Sequence, residues 1–160
     1  MNGIELLSEV TLLALALATA ATGILAWRRS KERRALLFAA SAGVVCAYGL
    51  SETAKLLFAQ ERPCTRWALP GECPPPGDWS LPSNHATLAF GAVIVIALAT
   101  RHAWVTWAAL TTAILVGTGR ILQGVHYLHD VAFGALLGAS VPAVAALIIH
   151  AWMKRRPGRV

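Results

Sequence analysis

The sequence is short of charge. Only 14% of its 160 residues are Asp, Glu, Lys or Arg, against 56% hydrophobic, where a soluble domain carries about a quarter charged. Together with a mean hydropathy of +0.57, this argues against a water-soluble globular chain and for an integral membrane protein. A separate soluble domain, a linker of note, a low-complexity tract and an obvious internal repeat are all missing. Positive charge is absent ahead of the first apolar run. The opening MNGIELLSEV holds Glu5 and Glu9 but no Lys or Arg, whereas a secretory signal peptide starts with basic residues. The basic RRSKERR follows the run instead, so a retained helix is expected. Cysteine is scarce, at three, and neither the cysteines nor the five histidines fall at a spacing that suggests a metal centre.

What the chain does have is apolar runs. Five segments can cross a bilayer: 10–27, 35–59, 84–100, 103–119 and 129–152. Some have apolar cores shorter than the ~20 residues a span usually needs, so helix ends must continue into the interface. Backbone groups in hydrocarbon need internal partners, and helices supply them. Ala, Gly, Ser and Thr recur in ALALATAATG and AASAGVVCAYG, and small residues let helices approach closely. The expectation is an all-α, polytopic transmembrane bundle of about five helices forming one domain over residues 1–160.

Charge orients it. Arg28, Arg29, Lys31, Arg33 and Arg34 follow the first run, Arg101 lies between the third and fourth, and Lys154, Arg155, Arg156 and Arg159 follow the fifth. With five crossings all three positions fall on one side, and short Lys/Arg-rich loops stay cytoplasmic. The expected topology is N-out, C-in, in the plasma membrane. Lys55, Arg62, Arg66 and Arg120 are left for the outer side, where each is either an interfacial anchor or part of a shared anion site. Cys64 and Cys73 lie in the longest polar loop, RPCTRWALPGECPPPGDW, placed outside, where disulfides persist. A bridge between them is expected, with two unpaired thiols as the alternative. Cys46 reads as a packing residue inside the second helix.

Three polar stretches face that outer side. In KLLFAQERP, Lys55 and Arg62 are seven apart, two helical turns, so both can project from one face; alone they read equally as a snorkelling pair. Pro63 then ends the helix or starts the loop. In PSNH, Ser83 is an N-cap candidate, and a helix N-terminus attracts anions; alone it reads as a simple cap beside an incidental His85. In RILQGVHYLHDV, His126 and Asp130 are four apart, one helical face if the segment is helical. A carboxylate on one imidazole nitrogen fixes the tautomer and leaves the other basic, as an activated nucleophile requires; the alternative is a buried structural pair. Gly119 and Gly124 suggest that the backbone from Arg120 to His126 is not a regular helix. Three cations, a helix N-terminus, two histidines and an orienting aspartate together suit phosphate, whose transfer needs mainly positioning and charge stabilisation.

Lys55-x6-Arg62-Pro63, Pro82-Ser83-Asn84-His85 and Arg120-x5-His126-x3-Asp130, in this order, resemble the type 2 phosphatidic acid phosphatase superfamily. It includes membrane lipid phosphatases, undecaprenyl diphosphate phosphatases, glucose-6-phosphatase and soluble vanadium haloperoxidases. The resemblance spans Lys55 to Asp130. Two positions depart from the pattern: Asn84 stands where the family usually has glycine, and Gly119 where it usually has serine. The resemblance implies that His126 is the nucleophile and forms a phosphohistidine, that Asp130 orients it, and that His85 is the general acid. It implies that Lys55, Arg62, Ser83, Asn84 and Arg120 hold phosphate oxygens, with no metal and no cofactor. His129 is outside the motif, and His102 and His150 look incidental. The hydropathy argues against a soluble haloperoxidase. The expected activity is hydrolysis of a lipid phosphate or diphosphate at the outer face, undecaprenyl diphosphate first. Phosphatidylglycerol phosphate, phosphatidate and a polyprenyl sugar phosphate are alternatives, and a non-catalytic lipid-phosphate binder or carrier is the alternative of another class. The expected partners are the lipid substrate and the bilayer, not nucleic acid.

Overall fold

The computed structural model describes residues 3–29, 31–69 and 72–155, which are helical with connecting loops and contain no strand. Arg156 and Arg159 of the C-terminal basic cluster lie outside the described residues. Five long helices and one short turn run in the order α1 (Gly3–Trp27), α2 (Lys31–Phe58), α3 (Pro63–Arg66), α4 (Asn84–Ala99), α5 (Ala103–Leu122) and α6 (Leu128–Arg155). Four of the long ones are long and apolar enough to cross a membrane; α4 is the shorter fifth. At 16 residues it covers about 24 Å at 1.5 Å per residue, less than the ~30 Å hydrocarbon core.

That short helix is the centre of the bundle. One apolar cluster packs α4 (Ala89, Ala92, Val93, Ile96) between α1 (Leu15) and α5 (Ala109, Ala113, Val116). A second packs it (Val95, Ala99) against α1 (Ala26), α2 (Leu37, Ala40) and α6 (Ala146). Alanine dominates these contacts, so the helices pack by close approach rather than by interlocking large side chains. The large apolar residues face outward instead: Leu13, Leu17, Phe38, Val45, Leu115, Leu136, Leu147 and Ile148 are exposed, an arrangement that water would penalise and lipid does not. Threonine hydroxyls bond back to carbonyls of their own helices, as Thr19 to Leu15 at 2.7 Å and Thr112 to Ala108 at 2.9 Å, and so carry no free donor into lipid.

The two ends of the bundle differ. At one end the basic cluster caps helices: Arg33 Nη1 donates to the Ala99 carbonyl closing α4 at 2.9 Å, and Arg34 Nε to Trp27 O at 2.7 Å. At the other end lie the N-terminus of α4 and the polar loops. Glycine brings α6 against that N-terminus, since a methyl on Gly138 would collide with the Thr87 backbone carbonyl. Ser83 N–H donates to Asp130 O at 3.0 Å, which ties the two segments at the top.

Three local expectations are corrected. Arg62 is not on the helix of Lys55: α2 stops at Phe58, Ala59 takes a positive φ of 44°, and Arg62 is the extended N-cap of α3 with Pro63 in its first turn. Arg120 is in regular helix, because α5 continues through Leu122 despite Gly119. The break comes after it, at Gly124 with φ +75°. Cys46 is exposed on the outer surface of α2 rather than packed.

Candidate active site

The loops gather at the polar end through backbone bonds. Ser80 N–H donates to Gln60 O at 2.8 Å and Cys64 N–H to Gly124 O at 3.0 Å. Cys64 and Cys73 are joined, with Cα atoms 5.6 Å apart, closing a loop just ahead of the segment that brings Asp78 onto Arg62.

His126 sits in the connection before α6, not on it, so its relation to Asp130 is not a one-face helical spacing. Asp130 lies in the first turn of α6 and its Oδ2 accepts from Tyr127 N–H at 2.8 Å, a carboxylate satisfying an open helix N-terminus. The same oxygen lies 3.5 Å from His126 Nδ1 and accepts from the Ser80 hydroxyl. Ser80 Oγ is itself 3.4 Å from His126 Nδ1. On the far side of the ring, Arg62 Nη1 lies 3.2 Å from Nε2. A guanidinium only donates, so Nε2 is the acceptor and the proton belongs on Nδ1, toward Asp130 and Ser80. Burial lowers the His126 pKa to about 4, with the Arg62 and Arg120 charges adding to the effect against the opposing pull of Asp130. At neutral pH this is an uncharged imidazole whose Nε2 lone pair faces the cations, the form a nucleophile needs.

The cations come from three directions. Lys55 Nζ pairs with Glu52 at 3.1 Å and Asp78 at 3.6 Å. Arg62 is the most heavily bonded: Nη2 meets Asp78 Oδ1 at 2.9 Å, Nε meets Asp78 O at 2.8 Å, and Nη1 also reaches Val125 O at 2.9 Å. Arg120 Nη1 lies 3.2 Å from Glu9 Oε1 and 3.1 Å from Gln123 Oε1. Asp78 is held below the usual carboxylate range: its partial burial works against this, but the hydrogen bond and charge of Arg62, with Lys55, outweigh it. These cations therefore sit against carboxylates, and an incoming phosphate must compete with Glu9, Glu52 and Asp78.

The N-terminus of α4 supplies the rest. Ser83 is the N-cap by backbone position, yet its side chain makes no capping bond. Its Oγ and Arg120 Nε are buried donors without a protein partner, which is costly unless a ligand completes them. Asn84 accepts from Ser51 Oγ at 2.8 Å and donates to Glu52, so in this state its side chain ties α4 to α2. His85 Nε2 is 2.9 Å from Glu9 Oε1. A Cβ at position 119 would lie 3.1 Å from the Cβ and 3.2 Å from the Oγ of Ser8 on α1, a tight approach. His129 reaches Gln60 at 3.1 Å and Asp130 Oδ1 at 3.1 Å and stacks on Tyr127, so it braces the aspartate.

Lys55, Arg62, Ser83, Asn84, His85, Arg120, His126 and Asp130 thus belong to one polar cluster. Sequence reasoning missed Glu9, Gln60, Asp78 and Ser80. Glu9 had a readable signal, an acid inside an apolar helix. Ser80 had none, being one serine in a loop.

The PAP2 superfamily model matches residues 11–156. The chain belongs to the PAP2 superfamily. It is 34% identical over 115 residues to decaprenylphosphoryl-5-phosphoribose phosphatase of Mycobacterium tuberculosis, covering 71% of this chain and 61% of that protein. It is 34% identical over 107 residues to an undecaprenyl-diphosphatase of Sulfolobus acidocaldarius, covering 65% and 50%. It is 48% identical over 61 residues to the bacitracin transport permease protein BcrC of Bacillus licheniformis, covering 38% and 29%. The matched stretch therefore spans less than two thirds of the length of each of these relatives. No solved structure matches it.

Proposed function

We propose that this PAP2 chain is a membrane lipid phosphatase that cleaves a polyprenyl-linked phosphate, undecaprenyl diphosphate first, through a phosphohistidine on His126. The observation that carries the reading is the His126 ring itself: Nδ1 turned toward Asp130 and Ser80, Nε2 facing Arg62. A binder needs only the cations; it does not need an oriented, uncharged imidazole among them. The polyprenyl preference is supported by two relatives whose names specify a decaprenylphosphoryl and an undecaprenyl substrate.

In this scheme the substrate phosphate draws Arg62, Lys55 and Arg120 from their carboxylates, and its oxygens complete Ser83 Oγ and Arg120 Nε. His126 Nε2 attacks phosphorus. Asp130 stabilises the cationic ring that forms, and His85 protonates the leaving oxygen. Water then hydrolyses the phosphohistidine. The chain lies N-out and C-in in the plasma membrane with the site outside, because ten of its fourteen basic residues fall at the three positions assigned inside. A cysteine placed at 31 or 155 should resist an impermeant reagent in intact cells; ready labelling at both reverses the orientation.

Purified protein is tested on undecaprenyl diphosphate, phosphatidylglycerol phosphate, phosphatidate and a polyprenyl sugar phosphate, with and without a chelator. Phosphate release, fastest on undecaprenyl diphosphate and insensitive to the chelator, is expected. A quenched reaction with labelled substrate should place acid-labile, base-stable label on the wild type and none on His126→Ala. Tight binding with no release from any substrate favours a carrier instead.

A further inference from the structure

Glu9 is an ionisable residue on the first transmembrane helix, outside the stretch matched by the family model, which starts at residue 11. Acids inside such helices are costly and usually have a function. One oxygen of Glu9, Oε1, makes two contacts: 2.9 Å to His85 Nε2 on α4 and 3.2 Å to Arg120 Nη1 on α5. The carboxylate is not needed for packing, since its side chain is nearly half exposed and α1 is held to α4 and α5 by Leu15. Nor does Arg120 depend on it alone, because Gln123 Oε1 also accepts from Nη1. The contact with no substitute is the one to His85.

Resting on the phosphatase reading above, we propose that Glu9 is a positioning residue for the leaving-group step. It holds the His85 Nε2 proton on Oε1, in the place that a phosphate oxygen takes when phosphate draws Arg120 from its carboxylate, and its charge favours the cationic ring until that proton is delivered. A carboxylate can only accept here, so a hydrogen must be on Nε2.

The step balances without any further reactant. The His126 Nε2 lone pair forms the N–P bond. The P–O bond to the leaving group breaks, its electron pair goes to oxygen, and that oxygen takes the Nε2 proton of His85, which becomes neutral. Water that later attacks the phosphohistidine returns a proton to His85. How much the enzyme gains depends on the leaving group. An alkoxide leaves poorly without the proton and an aryl oxide scarcely needs it. The lipid phosphate released from a diphosphate is already a stable anion and falls between.

The test uses the intact chain in detergent with phosphatidate, undecaprenyl diphosphate and 4-nitrophenyl phosphate, comparing wild type, Glu9→Gln, Glu9→Asp and His85→Ala. Glu9→Gln should lower kcat on phosphatidate by about 10- to 100-fold and on the aryl phosphate by no more than about threefold, the share expected of a weakened general acid. Undecaprenyl diphosphate should fall between them, and Glu9→Asp should recover part of the loss. Adding Glu9→Gln to His85→Ala should cost nothing more, because one acts through the other. An equal loss on all three substrates, a change confined to KM, or a full further loss in the His85→Ala background overturns the role of Glu9 and leaves the phosphatase reading standing. A wild-type protein that cleaves none of the three overturns that reading, and this inference with it.

Discussion

Asp130→Asn separates orientation from charge at the proposed nucleophile. Asparagine keeps the shape of the side chain, and the hydrogen bonds say which way its amide must turn. Oδ2 serves Tyr127 N–H, the Ser80 hydroxyl and the His126 Nδ1 side, so the asparagine oxygen belongs there. The amide nitrogen then replaces Oδ1, facing Gln60 Nε2 at 2.9 Å, and Gln60 can reverse its own amide to accept. The fold should survive at a cost of about 1–3 kcal/mol, as bonds to a charged acceptor become bonds to a neutral one. The rate should not. In the proposed mechanism His126 takes the phosphoryl group and its ring becomes a cation, with Asp130 Oδ2 3.5 Å from Nδ1. At that separation a full charge contributes about 5 kcal/mol at an effective dielectric near 20. This is an upper bound because both charges are delocalised, and it corresponds to a loss of up to about 10³- to 10⁴-fold. The assay is phosphate release from undecaprenyl diphosphate in detergent, with monodispersity by gel filtration as the control for folding. If folded Asp130→Asn turns over within about threefold of wild type, well short of what such a pair should give, the carboxylate is not the charge partner of the nucleophile.

Three further outcomes are expected. As the proposed nucleophile His126 must be unprotonated, and its pKa is lowered to about 4; kcat/KM on a soluble phosphate should therefore hold as pH falls through 6.5 and decline only near 4, and an acid limb at 6.5 would contradict the buried, cation-flanked ring. Gly138→Ala should destabilise the detergent-solubilised protein by about 1–3 kcal/mol, the usual range for overpacking, because the added methyl meets the Thr87 carbonyl; unchanged thermal stability would refute the contact. Mass spectrometry of unreduced, alkylated protein should find Cys64 and Cys73 joined, a bond that commonly contributes ~2–4 kcal/mol; two alkylated cysteines would refute it.

The sequence by itself determined the class of the protein and singled out the polar residues that the fold gathers into one cluster. Hydropathy is a property of consecutive residues, so the apolar runs were readable, and observed helices lie over all five of them. The motif residues were readable because their types and spacings are also one-dimensional. Local geometry was less legible: α5 runs on past Gly119 to Leu122, and α2 ends before Arg62 despite the two-turn spacing from Lys55. Tertiary structure alone decided which groups meet. Glu9 reaches His85 across 76 positions and Ser80 reaches Asp130 across 50. Those meetings depend on the rotation of α1 about its axis and on how closely α6 can approach α4 at Gly138. Both are set by packing among helices of small residues, where a single methyl moves a backbone and no local spacing records the result.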